Sequence, residues 1–342
     1  MARLLFTLPR FHTNMWFAVR RLLADGHEVR LLVCMASGGE DHSMVEPVVM
    51  GKSPAYEEVE KEVTDFRPDL VIIRNAWAIS RRASRAARRQ GIPRILYNQV
   101  PDDVLTGFGR RVLLRYKGLP VERFTPVRGQ NRSKPRDPYA RFMPLPVDVL
   151  PHQVLPREDD RLKVLLVGKL GAERKNQHVL IQKIEEMNAQ DRISLTLAGT
   201  VPGPDNAHYA TIQDMARRPW IKLAGSVPFL EMGTLHASHD VCILPSFDEL
   251  RGTSPLEAMA YGAVPMISNQ CGSAGDLTHG DDGVVFDPLH MEQAVEWLLK
   301  LDADRAELDR MKQAAHATWR RDLSEEAFSR NIRALLDDFG VS

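Results

Sequence analysis

Strand-like and helical patterns alternate through the second half of this chain, and that alternation limits the fold more than any other feature. Short apolar runs fall at Val164–Val167, Ile193–Ala198, Val241–Leu244, Val264–Ile267 and Val284–Phe286, with helical periodicity between them. Strands separated by helices on short connections pair in parallel and are covered on both faces. The first half runs the same way at Leu4–Leu8, Val29–Cys34, Arg67–Ile73 and Arg94–Tyr97. A chain of 342 residues suits two domains of ordinary size. Pro144, Pro146, Pro151 and Pro156 make a stiff connection, which sets the expected boundary near 155. Sheets of this kind bind ligands at the C-terminal ends of their strands.

One such end carries the most informative stretch, Ile243–Pro265. The apolar run breaks at Pro245, a polar loop spans Ser246 to Ser254, and Pro255 stands where a helix can begin. Proline suits a first helical turn because its missing N–H would be unpaired there anyway. Leu256, Met259 and Ala260 give this helix an apolar face, and Gly262 ends it. A strand, a loop and a helix start leave backbone N–H groups free to meet an anion, and Gly252 lets the backbone approach a ligand closely. Glu249 and Glu257 frame the loop eight positions apart.

This E-x7-E, followed in register by LEAMA, Gly262 and Pro265, resembles the signature of the retaining, glycogen-synthase-like glycosyltransferases of the GT-B fold. A second mark is GKLGAERKNQ, Gly168–Gln177, a post-strand loop with Lys169 and Lys175 six apart. The resemblance is motif-level from about Val164 to Pro288 and covers the rest in layout. It implies an α/β chain of two Rossmann-like domains facing a central cleft. The first is an acceptor-binding domain over 1–155, completed by a C-terminal helix at about 324–342. The second is a nucleotide-sugar-binding domain over 156–323.

The same resemblance implies roles for named residues. Glu257 accepts hydrogen bonds from the ribose hydroxyls, a task that suits a group with two acceptor oxygens and no donor. Glu249 holds a hydroxyl of the transferred sugar, and the N–H groups of Gly252 and Thr253 meet the sugar and distal phosphate. Lys175 and Lys169 face the diphosphate, where negative charge grows as the glycosidic bond breaks. Lys169 stands where the family usually has Arg, which loses the bidentate fork and keeps the charge. Leu250-Arg251 replaces the family's usual Gly-Phe and suggests an unusual donor sugar. Val227, in GSVPF after a strand, is the expected backbone clamp for the base. Asn98 and Gln99 stand where the family commonly carries a His close to the sugar. Neither exchanges a proton, but either can hydrogen-bond a hydroxyl. His12 and Asn14 are candidates for the phosphates or the acceptor.

The implied activity is transfer of a hexose-type sugar from a nucleotide-diphosphate sugar to a glycan or lipid-linked acceptor, in bacterial surface-polysaccharide or glycolipid synthesis. Such transferases are thought to let the leaving phosphate take the acceptor proton, so no enzyme base is required. No cofactor and no metal are expected. Two other readings stay open: a catalytically silent subunit that binds a sugar nucleotide or a partner, and another enzyme of the same fold, a nucleotide-sugar epimerase or a phosphorylase. Asn98 in place of His favours the first of these, and the E-x7-E with LEAMA disfavours the second.

Composition removes several classes. No G-x-G-x-x-G joins the first strand to its helix, so a dinucleotide fingerprint is absent. The 11 His show no metal-ligand spacing, and Asp302-Ala303-Asp304 reads as a helix start. Three separated Cys read as reduced and mostly buried. The N-terminus lacks a signal-peptide cleavage site and no apolar run is long enough to span a bilayer, so a cytoplasmic location is expected. The formal charge is zero, which argues against nucleic acid as a partner. That zero is uneven: residues 1–155 hold 25 Lys and Arg against 16 Asp and Glu. Arg81, Arg82, Arg85, Arg88 and Arg89 fall on one helix face, and Arg110, Arg111, Arg115 and Lys117 flank Val112-Leu113-Leu114. These basic segments suggest peripheral attachment to an anionic membrane surface.

Overall fold

The computed structural model describes residues 1–11, 13–36, 41–74, 77–131, 133–157 and 159–341, without the side chains of Thr13 and Asn14. His12 and the side chain of Asn14, both candidates above, lie outside the described residues. The chain divides into two compact units, Met1–Pro146 with Leu323–Ser342, and Val147–Asp322.

The first unit is built on a seven-stranded sheet of β1 (Arg3–Leu8), β2 (Glu28–Val33), β3 (Val48–Val49), β4 (Leu70–Arg74), β5 (Arg94–Tyr97), β6 (Arg123–Thr125) and β7 (Ala140–Phe142). The order is β3-β2-β1-β4-β5-β6-β7 and every pairing is parallel. Its helices are α1 (Thr13–Ala24), α2 (Tyr56–Phe66), α3 (Trp77–Arg89) and α4 (Phe108–Tyr116), and α11 (Glu325–Asp338) returns to it from the far end of the chain. Alternate strand residues serve opposite faces, as a period of two requires. Leu4, Phe6, Leu31 and Ile72 pack with Met15, Leu22, Phe328 and Ile332. Leu5, Leu32, Val71 and Ile73 pack with Val59, Val63, Ile79 and Ala83. Polar contacts also fasten α11: Arg20 Nε donates to Glu325 at 2.6 Å, and Ser329 Oγ donates to Asp25 at 2.5 Å.

Helix α3 buries Ile79, Ala83, Ala86 and Ala87 and exposes Arg81, Arg85, Arg88 and Arg89. Arg82, expected on the same face, is half-buried. Helix α4 buries none of its residues. Phe108, Val112 and Tyr116, one turn apart, are 75%, 48% and 88% exposed.

The second unit has six parallel strands in the order β10-β9-β8-β11-β12-β13. They are β8 (Leu162–Val167), β9 (Ile193–Ala198), β10 (Ile221–Gly225), β11 (Val241–Leu244), β12 (Val264–Ser268) and β13 (Val284–Phe286). The covering helices are α5 (Gln177–Glu186), α6 (Ala207–Met215), α7 (Met232–Ala237), α8 (Ser254–Met259), α9 (Met291–Ala303) and α10 (Arg305–Thr318). The chain winds outward one way from β8 to β10 and the other way from β11 to β13. The crevice where winding reverses, between β8 and β11, is where such sheets take ligands.

In sequence the units divide at Pro146, earlier than the boundary expected near 155. Contacts explain the difference. Trp319 Nε1 donates to the Val147 carbonyl at 2.7 Å, Leu150 N to the Tyr261 hydroxyl at 2.8 Å, and Gln153 N to Thr234 Oγ1 at 3.1 Å. The proline-rich stretch is therefore tied to the second unit. Asp304 caps α10, its side chain accepting from Glu307 N, and Asp302 pairs with Arg192 and Arg305. None of the three Cys is in a disulfide, and all three are buried.

Candidate functional site

Three neighbouring strands of the second unit, β8, β9 and β10, end at glycines. Gly168 N donates to Ala198 O and Gly199 N to Gly225 O. Gly199 has φ +136°, and a Cβ there would sit 1.8 Å from the Gly168 carbonyl oxygen. Only glycine lets these strand ends close so tightly. The loops that leave β8, β10 and β11 carry all the second-unit residues expected in the site.

After β8 the chain makes a short 3-10 turn, Glu173–Lys175, and Asn176 takes a left-handed conformation that starts α5. This turn presents two cations to one carboxylate. Lys175 Nζ lies 2.5 Å from Glu249 Oε2, and Arg174 Nη1 lies 2.8 Å from the same oxygen. Lys175 is 7% exposed, so its charge is little screened by water. Burial pushes the Glu249 carboxyl upward, but the Lys175 and Arg174 contacts outweigh it and hold the group below the ordinary glutamate range. Lys169 is exposed and has no carboxylate partner among the described residues.

The loop after β11 is fastened along both sides. Phe247 N donates to Arg174 O, Glu249 N to Gln270 O, Gly272 N to Glu249 O and Ser273 N to Arg251 O. Arg251 Nη1 reaches Asp276 Oδ2 at 2.5 Å, and both side chains are under a tenth exposed. This corrects one expectation. Arg251 turns into the body of the unit, so of the Leu250-Arg251 pair only Leu250 is exposed, at 65%. Gly252 follows with φ +70°, where a Cβ would meet Leu244 Cδ2 at 2.4 Å. No acceptor among the described residues pairs with the N–H of Gly252 or Thr253. Ser254 Oγ donates to Val167 O at 3.3 Å and ties the loop's end to β8. Helix α8 is only six residues long. Its free N–H groups, rather than a full helix dipole, are what the loop offers an anion.

Glu257 lies in the first turn of α8 with its side chain one-third exposed. His236 of α7, 1% exposed, stands behind it with Nε2 3.6 Å from Glu257 Oε2. Val227 is partly buried against a small apolar cluster of Leu165, Ala198, Cys242 and Ala258. Its backbone N–H and carbonyl have no protein partner among the described residues.

Asn98 is at the end of β5 in the first unit. Its Oδ1 accepts from Val100 N and from Arg123 Nη1, both at 3.2 Å, while Nδ2 is buried without a partner. Arg123, 3% exposed and paired with Asp137 at 3.1 Å, is the buried hub of this corner. Beside Asn98 is a cavity of about 780 Å³ with Ile73, Leu96 and Leu113 on its walls and Arg81, Arg110 and Lys117 around it. None of these three cations has a carboxylate partner among the described residues. Sequence reading missed Arg123, Asp276 and His236. Their partners lie 14, 25 and 21 positions away, and no local pattern announces such pairs. Among the described residues no three His, Cys, Asp or Glu gather as a metal site.

Two parallel sheets, each with Rossmann-like winding, define a GT-B fold. Residues 161–301 match the family described as glycosyl transferases group 1. Among curated proteins, the O-antigen chain mannosyltransferase B of Escherichia coli is 32% identical over 117 residues, covering 34% of this chain and 30% of the relative. The chain is thus matched to less than a third of that relative's length. Among solved structures, a glycosyltransferase from Rickettsia africae has a TM-score of 0.77 at 12% identity, covering 99% of this chain and 98% of that one. Anabaena HepE in complex with UDP has a TM-score of 0.72 at 13% identity, covering 99% and 100%.

Proposed function

We propose that this protein is a retaining glycosyltransferase that moves a hexose from a nucleotide-diphosphate sugar to a glycan or lipid-linked acceptor. The observation that carries the reading is the loop from Glu249 to Glu257 beside Lys175. Two carboxylates there flank free N–H groups, next to a buried ammonium. A sugar and a ribose each need an acceptor for their hydroxyls, and the diphosphate between them needs N–H donors and a cation. Lys175 and Lys169 would hold the diphosphate and stabilise it as its charge grows. Glu257 would take the ribose diol, Val227 the base through its backbone, and Glu249 a sugar hydroxyl. The leaving phosphate would accept the proton of the acceptor hydroxyl, with no metal or cofactor.

A role in bacterial surface-polysaccharide assembly is supported by the O-antigen mannosyltransferase relative. The Anabaena neighbour's UDP supports a nucleotide donor. The cavity beside Asn98 joins apolar walls to unpaired cations, a combination that suits a phosphate on a lipid carrier. Asn98 would hydrogen-bond a hydroxyl through Nδ2. The exposed apolar ridge of α4 with its arginines supports peripheral attachment to an anionic, cytoplasm-facing membrane surface.

Thermal shift with UDP-, GDP- and ADP-sugars tests the donor. A ligand at about 100 times its Kd adds about 2.7 kcal/mol of stability. Incubation of the bound sugar nucleotide without acceptor then tests for turnover. Slow release of free nucleotide with anomeric retention on transfer is expected. Binding with no turnover under any acceptor would favour a silent sugar-nucleotide-binding subunit, and no binding would sink the reading.

A further inference from the structure

His236 is the least explained polar group of the second unit. It is 1% exposed, and both ring nitrogens are buried without a hydrogen-bond partner. A neutral imidazole always carries one N–H donor, and buried donors are nearly always paired. The carboxylate it faces is Glu257, whose Oε2 is 3.6 Å from Nε2, beyond the roughly 2.9 Å of a good N–H···O bond. The ring is not free to seek a different partner. It stacks on Tyr261, with ring centroids 5.7 Å apart and planes 13° apart, and the Tyr261 hydroxyl is held by Leu150 N at 2.8 Å. Glu257 is the member of the pair that can move: its backbone is held by N–H donation to Thr253 O, but its side chain is one-third exposed and can change rotamer.

We propose that His236 is a positioning residue that completes the Glu257 site: it donates from Nε2 to the inner carboxylate oxygen when the outer face of that carboxylate engages a vicinal diol. This inference rests on the reading of Glu257 as the ribose ligand and deepens it. An ionised carboxylate has about four acceptor positions. Two ribose hydroxyls and one imidazole N–H fill three of them from opposite sides. With ribose bound, Glu257 is held in the one rotamer that meets both the diol and His236. A 2′-deoxyribose offers one hydroxyl fewer and orders Glu257 less. The pair therefore sharpens selection for ribonucleotides over deoxyribonucleotides.

The test uses the full-length protein with UDP, GDP and ADP and their 2′-deoxy forms, measured by isothermal titration. The nucleotide bound most tightly by the wild type is carried forward. His236→Phe keeps the stacking on Tyr261 and removes the donor. It should weaken the ribonucleotide by roughly tenfold, as expected for a hydrogen bond to a charged group, and weaken the deoxynucleotide much less. His236→Gln restores a donor near the Nε2 position and should recover most of the preference. In a Glu257→Ala background His236→Phe should add nothing. Equal weakening of both nucleotides, no weakening of either, no recovery by His236→Gln, or an undiminished effect without Glu257 would each overturn the proposal. If Glu257→Ala alone leaves nucleotide affinity unchanged, the ribose assignment itself is what fails.

Discussion

Lys175 and Glu249 are joined at 2.5 Å on an oxygen that Arg174 also reaches. Two cations share one carboxylate, so the trio keeps a net positive charge. A half-buried carboxylate with such partners stays ionised, and its partners stay aimed at the loop. Charged groups held in place before the substrate arrives need no reorganisation during the reaction.

Removing the Lys175 ammonium should therefore lower turnover more than donor binding. Lys175→Ala is expected to cut kcat about 10²–10³-fold, the range for losing one preorganised donor to a developing oxyanion. Donor affinity should fall by less than tenfold. Steady-state kinetics with titration calorimetry on the same sample check this. Equal losses in both quantities would assign Lys175 to simple binding.

Glu257 should behave differently. The ribose contact proposed for it would be the same in ground and transition states, so Glu257→Ala should weaken the sugar nucleotide and the free nucleotide alike and leave kcat close to wild type. A loss of about tenfold or more is expected. Unchanged nucleotide affinity would remove the residue from the site.

The Arg251–Asp276 pair supports the same loop from behind. Breaking a buried pair on one side costs about 3–5 kcal/mol, because a buried charge loses its opposite charge. Arg251→Met and Asp276→Leu should each destabilise strongly in urea melts. The double variant should recover most of the loss. Additive losses would show that the two side chains do not act as a pair.

His239 makes the second unit sensitive to acid. Its Nδ1 must donate to the Leu235 carbonyl at 2.7 Å, so Nε2 accepts from Thr196 Oγ1 at 2.8 Å. Burial is the main cause that lowers its pKa to about 4, from 6.5. The folded state keeps this imidazole neutral while the unfolded state takes a proton below pH 6.5. Stability is thus complete above pH 6.5 and falls as pH drops toward 4, by at most about 3 kcal/mol. Asp240, lowered to about 2 by Arg157 and Lys312 against the opposing effect of burial, acts in a lower window: its stabilisation is present above the ordinary 3.8 and is lost as pH falls toward 2. Urea melts at pH 7 and pH 5 should differ less in His239→Asn than in wild type. An equal difference would assign the acid sensitivity elsewhere.

The basic surface of the first unit gives a further expectation. From Trp77 to Lys117 there are ten Lys and Arg and two Asp. Sedimentation with liposomes should require anionic lipid and weaken as salt rises. Changing Arg81, Arg85 and Arg88 to Ser should reduce it, and so should Phe108→Ser with Tyr116→Ser on the exposed ridge of α4. Equal recovery with neutral and anionic vesicles, or none with either, would leave a soluble acceptor as the better reading.

Much of the fold was legible because a parallel sheet covered on both faces needs unbroken apolar runs. Val241–Leu244 reads as a strand and is one to the residue, and Pro255 and Gly262 bracket α8 as their backbone preferences require. Side-chain direction was less legible. Arg251 reads as a charge facing the ligand, yet an acid 25 positions away draws it inward. The arginines of α3 read as one face, and Arg82 departs from it. The proline-rich stretch reads as linker up to about 155, but hydrogen bonds to Trp319 and Tyr261, far along the chain, secure its first part.

Helix α11 belongs to the first unit although the whole second unit separates it in sequence. During synthesis, residues 147–322 must be made between the two parts of that unit. At roughly 5–20 residues per second this takes on the order of 10–35 s. The second unit is one continuous segment and can fold as soon as it has been made. The first cannot, because Leu4, Phe6 and Leu22 wait for Phe328, Ile332 and Leu335 to cover them. The nascent chain therefore carries an open apolar face on its earlier-made part for as long as its later part is being made. A face of that kind invites non-specific association until α11 covers it.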